Sequence, residues 1–201
     1  MSDENSIEKS QSAIQNKVKD MQKGSLLGKI QGLKRCILID GSSSMTDYLP
    51  GNTNRHEVVK KVYKEHLQQL EMRMFNFNDD FEEIKRGVVH QNYYGQPPSE
   101  IPYPSGGTDM TMAFYKMDSL GVERCILVTD GQPNDPKTAL EAADKTKIQF
   151  DIVYIGEPPI PDFLLKLGNV KGNSFQRVDM LKADSDIFKE LGTKIKGLLG
   201  K

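Results

Sequence analysis

Three short, mainly apolar runs constrain this chain more than any other feature: RCILID at 35–40, RCILVTD at 124–130 and QFDIVYIG at 149–156. A strand with one wet face alternates polar and apolar residues, whereas a run apolar throughout needs cover on both faces. Longer segments of helical periodicity separate these runs. NRHEVVKKVYKEHLQQLE (54–71) sets Val59, Val62, Tyr63, His66, Leu67 and Leu70 on one side, with Asn54 as N-cap and Glu57 three residues on. His66 reads as a packed side chain on that face. Short buried strands separated by amphipathic helices mean βα units and a mostly parallel sheet.

The remaining elements follow the same logic. MRMFNFN (72–78) is expected to be a strand, and FEEIKRGVV (81–89) an edge strand paired with it. A loop rich in proline and tyrosine, HQNYYGQPPSEIPYPSGG, leads to a helix starting near Thr108, its aromatics expected mainly to hold the loop down. Further helices are expected over Pro136–Lys147 and Asp162–Leu167, and a strand over Ser174–Val178. A closing helix carries Ile187, Phe188, Leu191, Ile195, Leu198 and Leu199 on one face. The expected fold class is α/β: a three-layer sandwich around a mostly parallel six-stranded sheet, with one antiparallel edge strand and helices on both faces.

With 201 residues the chain is long enough for one domain with a sizeable core and an appendage. Residues 1–34 are polar and lysine-rich, with Ile7, Ile14, Val18 and Met21 along one side of a possible helix. They read as an N-terminal extension, helical or mobile, ahead of a domain at 35–201. The net charge of −1 recommends neither nucleic acid nor an anionic membrane as partner. No apolar run approaches the ~20 residues of a membrane span. The start, MSDENSIEKSQSAIQ, lacks a basic region followed by an apolar one, so a cytoplasmic location is expected. Cys36 and Cys125 each follow an arginine and open an apolar run; both read as buried free thiols.

In open parallel sheets ligands sit beyond the carboxyl ends of the strands. Three segments there carry the candidate chemistry. ILIDGSSSMTD presents Asp40, Ser42 and Ser44 at intervals of two; SGGTDM presents Thr108 and Asp109; TDGQPND presents Asp130. If the strands ending at Asp40 and Asp130 are neighbours, the three loops converge. Carboxylates and aliphatic hydroxyls without thiolate or imidazole suit a hard cation, Mg²⁺ or Mn²⁺. Neutral hydroxyl ligands leave most of such a cation's charge free to attract an external anion.

DGSSSM resembles the D-x-S-x-S motif of von Willebrand factor A-type domains, and GGTD and TDG resemble that family's second and third motifs, in the same order. Together these form the family's metal-ion-dependent adhesion site. The resemblance covers about residues 35 to 200 and implies a Rossmann-like fold. It also implies that Ser42, Ser44 and Thr108 give hydroxyls to the metal, that Asp40 and Asp130 act directly or through water, and that Asp109 stands beside the site. The function it implies is metal-dependent binding of a protein partner through the partner's Asp or Glu. Intracellular members often work beside AAA+ ATPases or within larger assemblies.

Other readings compete. DGSSSM alone is also an ordinary turn, with Ser43 pointing away from the proposed ligands. SGGTDM lacks the lysine and spacing of a phosphate-binding P-loop. A Mg²⁺-dependent phosphoryl-transfer enzyme with Asp40 as nucleophile would want a second acid two residues on, where this chain has Ser42. No enzymatic activity is therefore expected. A structural subunit whose contacts do not depend on the metal is the main alternative.

Overall fold

The computed structural model describes residues 34–49, 53–91, 97–178 and 184–199. The extension expected at 1–34, and with it Ile7, Ile14, Val18 and Met21, lies outside the described residues except for Lys34. Strand β1 (Arg35–Asp40) passes through a 3₁₀ turn (Ser43–Thr46) to helix α1 (Arg55–Val62). Strands β2 (Arg73–Phe77) and β3 (Phe81–Glu83) follow, then helix α2 (Met110–Ser119) and strand β4 (Arg124–Thr129). Helix α3 (Pro136–Thr146), strand β5 (Gln149–Tyr154), helix α4 (Asp162–Gly168), strand β6 (Ser174–Arg177) and helix α5 (Asp184–Leu199) complete the order.

The six strands lie in the order β3-β2-β1-β4-β5-β6. All neighbours are parallel except β2 and β3, so the single antiparallel strand is at an edge, as the sequence predicts. The strands ending at Asp40 and Asp130 are neighbours: β1 pairs with β4 from Arg35↔Arg124 to Ile39↔Val128. The three apolar strands are all interior, β1 and β4 at the centre and β5 beside β6.

Side-chain alternation divides the core in two. Ile37, Ile39, Ile126 and Val128 pack with α1 and α5, while Leu38, Leu127, Phe150 and Ile152 pack with α2, α3 and α4. Both faces of β1, β4 and β5 are thus covered, which is why their runs are apolar almost throughout. Cys36 and Cys125 are register neighbours on the second face, buried and free. Asp151, an acid within the apolar run of β5, is fully buried; Arg124 grips it through Nε at 2.6 Å and Nη2 at 2.9 Å. A bidentate guanidinium makes the buried carboxylate tolerable there.

Two expected elements are shorter than the sequence suggests. The long helix expected at 54–71 stays α-helical only to Val62 and continues as a π turn over Tyr63–Leu67, with the Gln68 amide donating to the Tyr63 carbonyl at 2.8 Å. This wider turn still buries Tyr63 and Leu67, while His66 is half-buried against Gly192 of α5, packed as expected. FEEIKRGVV pairs with β2 only over Phe81–Glu83, plus one bond from the Ile84 amide to the Met74 carbonyl. Gly87, at φ +78°, turns the chain away, so Val88 and Val89 are exposed.

Leu38 has no exposed surface in the centre of the sheet, whereas Val89 is about half exposed. Leu38→Ala should cost about 2–5 kcal/mol in urea unfolding, and Val89→Ala under about 0.5 kcal/mol. In native protein both thiols should resist labelling that denaturant makes rapid; fast native labelling would contradict their burial.

Candidate metal centre

The strand ends deliver the candidate residues, and hydrogen bonds join the loops that follow. Asp40, the last residue of β1, is almost wholly buried. Its Oδ1 accepts the Ser42 amide at 2.9 Å and its Oδ2 accepts the Thr129 hydroxyl, from the neighbouring end of β4, at 2.6 Å. From there a run of oxygens leads outward. Ser42 Oγ lies 3.0 Å from Ser44 Oγ, and Ser44 Oγ donates to Asp130 Oδ1 at 3.0 Å. Four of the five residues picked from the sequence, Asp40, Ser42, Ser44 and Asp130, therefore form one continuous cluster.

The fifth, Thr108, is tied in through its backbone. Its amide donates to Asn134 Oδ1 and its carbonyl accepts the Asn134 amide, both at 3.0 Å, so the second loop is bound to the third. The second loop is bound to the first by the Ser105 amide on the Gly41 carbonyl at 2.8 Å, and by the Ser43 amide and hydroxyl on the Gly106 carbonyl. Ser43 thus serves the loop contact and points away from the Ser42–Ser44 pair. Among the described residues, the Thr108 hydroxyl makes no hydrogen bond to the other four. Asp109 does not join the cluster either: its carboxylate caps α2 by accepting the Met112 amide at 2.9 Å.

These loops approach too closely for ordinary side chains. A Cβ on Gly41 would come within 2.5 Å of the Asn76 side chain, and one on Gly107 within 2.7 Å of Asn134 and 2.8 Å of Asp79. Packing thus favours glycine at Gly41 and Gly107, and Gly106 sits at φ +69°, a backbone region that favours glycine.

Arg55 is the residue that sequence reasoning misses. It opens α1, a position that usually carries a solvated charge, yet it is 8% exposed. Its Nη1 pairs with Asp130 Oδ2 at 3.1 Å and donates to the Ser44 carbonyl at 2.9 Å and Asp47 Oδ2 at 3.2 Å. Thr129 is the second omission; its signal was the TD dipeptide at the end of β4, whose threonine faces Asp40 only once β1 and β4 pair. Among the described residues no group of three or more His, Cys, Asp or Glu gathers anywhere, so any metal site here would rely on hydroxyl oxygens.

No family model matches this sequence, and no curated protein matches it. Among solved structures the chain is similar to a von Willebrand factor type A protein from Catenulispora acidiphila, with a TM-score of 0.53 at 17% identity over 80% of this chain and 42% of that one. The chain spans less than half the length of that protein, and at this identity the likeness establishes the fold. Among the described residues no helix is long and apolar enough to cross a membrane.

The cluster concentrates negative charge in a dry place. Burial first, and then the Asp130 charge, push the Asp40 carboxyl up to about 6, against the opposing hydrogen bonds from Thr129 and Ser42. Burial also raises Asp130, while Arg55 and Ser44 draw it back down. Because the folded pKa of Asp40 exceeds the ordinary 3.8, the folded protein keeps a proton that the unfolded chain releases between those values. Stability should therefore fall as pH rises through that window, with the whole cost present above the folded pKa. Relative to wild type in chelator, Asp40→Asn should gain on the order of 2–3 kcal/mol between pH 3.5 and pH 7.5. Urea unfolding of both proteins across that range checks this; a pH-independent difference would refute it.

Proposed function

We propose that this chain is a metal-dependent protein-interaction module. Ser42, Ser44 and Thr108 would hold one Mg²⁺ or Mn²⁺ through their hydroxyls, with Asp40 and Asp130 acting directly or through water. The bound cation would supply an incompletely compensated positive charge to which an Asp or Glu of a protein partner binds. The observation that carries the reading is the run Ser42 Oγ–Ser44 Oγ–Asp130 Oδ1, with both steps at 3.0 Å, above the buried Asp40. Adjacent ligands of an octahedral ion at about 2.1 Å lie about 3.0 Å apart. The donor chemistry is also that of a hard cation, and the likeness in fold to a von Willebrand factor type A protein is consistent with it.

The residues around the cluster favour binding over turnover. The segments ILIDGSSSMTD, SGGTDM and TDGQPND carry no lysine, histidine or cysteine. The position two residues after Asp40, where a phosphoryl-transfer enzyme would place its second acid, is Ser42, and its amide is already committed to Asp40.

One observation favours a second reading, a structural subunit whose contacts need no metal. Arg55 already compensates Asp130, so the loops hold together with an internal cation alone. The two readings separate in direct titration. Wild type should bind one Mn²⁺ competed by Mg²⁺, Thr108→Val should bind more weakly, and Asp40→Ala should not bind. Capture of a partner from the native host should require Mg²⁺, fail in chelator and fail with Asp40→Ala at matched thermal stability. Chelator-resistant capture by the variant would favour the structural subunit.

A further inference from the structure

Arg55 spends an unusual amount of desolvation for the hydrogen bonds it makes. The residue is more than nine-tenths buried, its three polar contacts at the site all fall on Nη1, and its buried Nε has no acceptor among the described residues. A guanidinium used only as a tie would be expected to use its fork, as Arg124 does on Asp151. What the placement does secure is a fixed positive charge on one side of Asp130: Oδ2 faces Arg55, while Oδ1 faces the Ser44 hydroxyl.

We propose that Arg55 sets the divalent-cation affinity of this site by compensating Asp130 from behind. The inference rests on the metal reading above. A cation entering the cluster meets one carboxylate, Asp40, in full and a second whose charge is already shared with the guanidinium. The fixed positive charge of Arg55 opposes it as well. The site therefore binds the ion weakly when alone, and a partner's carboxylate, which adds the missing negative charge, tightens it. Metal retention and partner binding are coupled in this way.

The test is Mn²⁺ affinity, measured by electron paramagnetic resonance on the full chain, with folding followed by circular dichroism. Arg55→Gln removes the charge and should bind Mn²⁺ at least roughly tenfold more tightly than wild type. It should also melt earlier without metal and gain more from saturating Mn²⁺. Arg55→Lys keeps the charge and should stay within about threefold of wild type, as should Lys60→Gln, which removes a charge paired elsewhere on α1 with Glu57. Equal or weaker Mn²⁺ binding by a folded Arg55→Gln overturns the role of Arg55 and leaves the metal reading standing. Tightening by Arg55→Lys as large as that by Arg55→Gln would make loop shape the cause and also overturn it. An Arg55→Gln chain that fails to fold even in saturating Mn²⁺ would make Arg55 a structural tie. Absence of Mn²⁺ binding by wild type and variant alike would sink the metal reading and this proposal with it.

Discussion

The pairing of β1 with β4 is the constraint on which the rest depends. The chain leaves β1 to build β2 and β3 on one side, then returns to lay β4 on the other and continues outward through β5 and β6. The strand order thus reverses between β1 and β4, the kind of junction beyond which ligands sit in open parallel sheets. Asp40 and Thr129 meet across this junction at 2.6 Å, and Asp130 stands one residue beyond. The buried surface that fixes the register, Ile37, Ile39, Ile126 and Val128 on one face and Leu38 and Leu127 on the other, is therefore also what positions the cluster. Core and site are one construction. A change that slipped β1 against β4 would part Asp40 from Thr129.

The cluster contains an electrostatic conflict that is resolved only in part. Two carboxylates are held out of water within one hydrogen-bonded cluster. Hydroxyls from Thr129, Ser42 and Ser44 soften the cost, and Arg55 compensates one of the two acids. Among the described residues Asp40 has no such cation, and its carboxyl is the one pushed far up. The third buried acid among the described residues is treated differently. Asp151 is gripped by both arms of Arg124 and receives the Ser174 hydroxyl as well. Comparing the two acids separates a carboxylate satisfied for stability from one left short of positive charge. Unfinished compensation of that kind is what makes the cluster a candidate functional site.

The second loop shows how backbone does work that side chains cannot. Residues 105–108 are bonded to the first loop through Gly41 and Ser43 and to the third through Asn134. Asp79, after β2, accepts the Gly107 amide at 2.8 Å and braces the loop from the other side. Each contact falls where a glycine allows two chains to approach. The three segments are thus set by main-chain amides and carbonyls, helped by the side chains of Ser43, Asp79 and Asn134, leaving the hydroxyls of Ser42 and Ser44 to face the cluster.

The sequence alone determined the α/β class, the strands and most helices, because each apolar run or amphipathic stripe records the burial of its own segment. It also determined Asp40, Ser42, Ser44, Thr108 and Asp130 as residues at the mouths of loops, since their types and spacing lie within short contiguous stretches. It overextended the helix after Asn54 and the edge strand after Phe81, where apolar residues continue but the backbone changes to a π turn or leaves the sheet. Tertiary structure alone decided that β1 and β4 are neighbours, that Thr129 holds Asp40, and that Arg55 turns inward to Asp130 instead of outward to water. The physical reason is range. Hydrophobic periodicity is written along the chain, whereas the partner of a buried charge is chosen across it, by which strand ends the fold brings together.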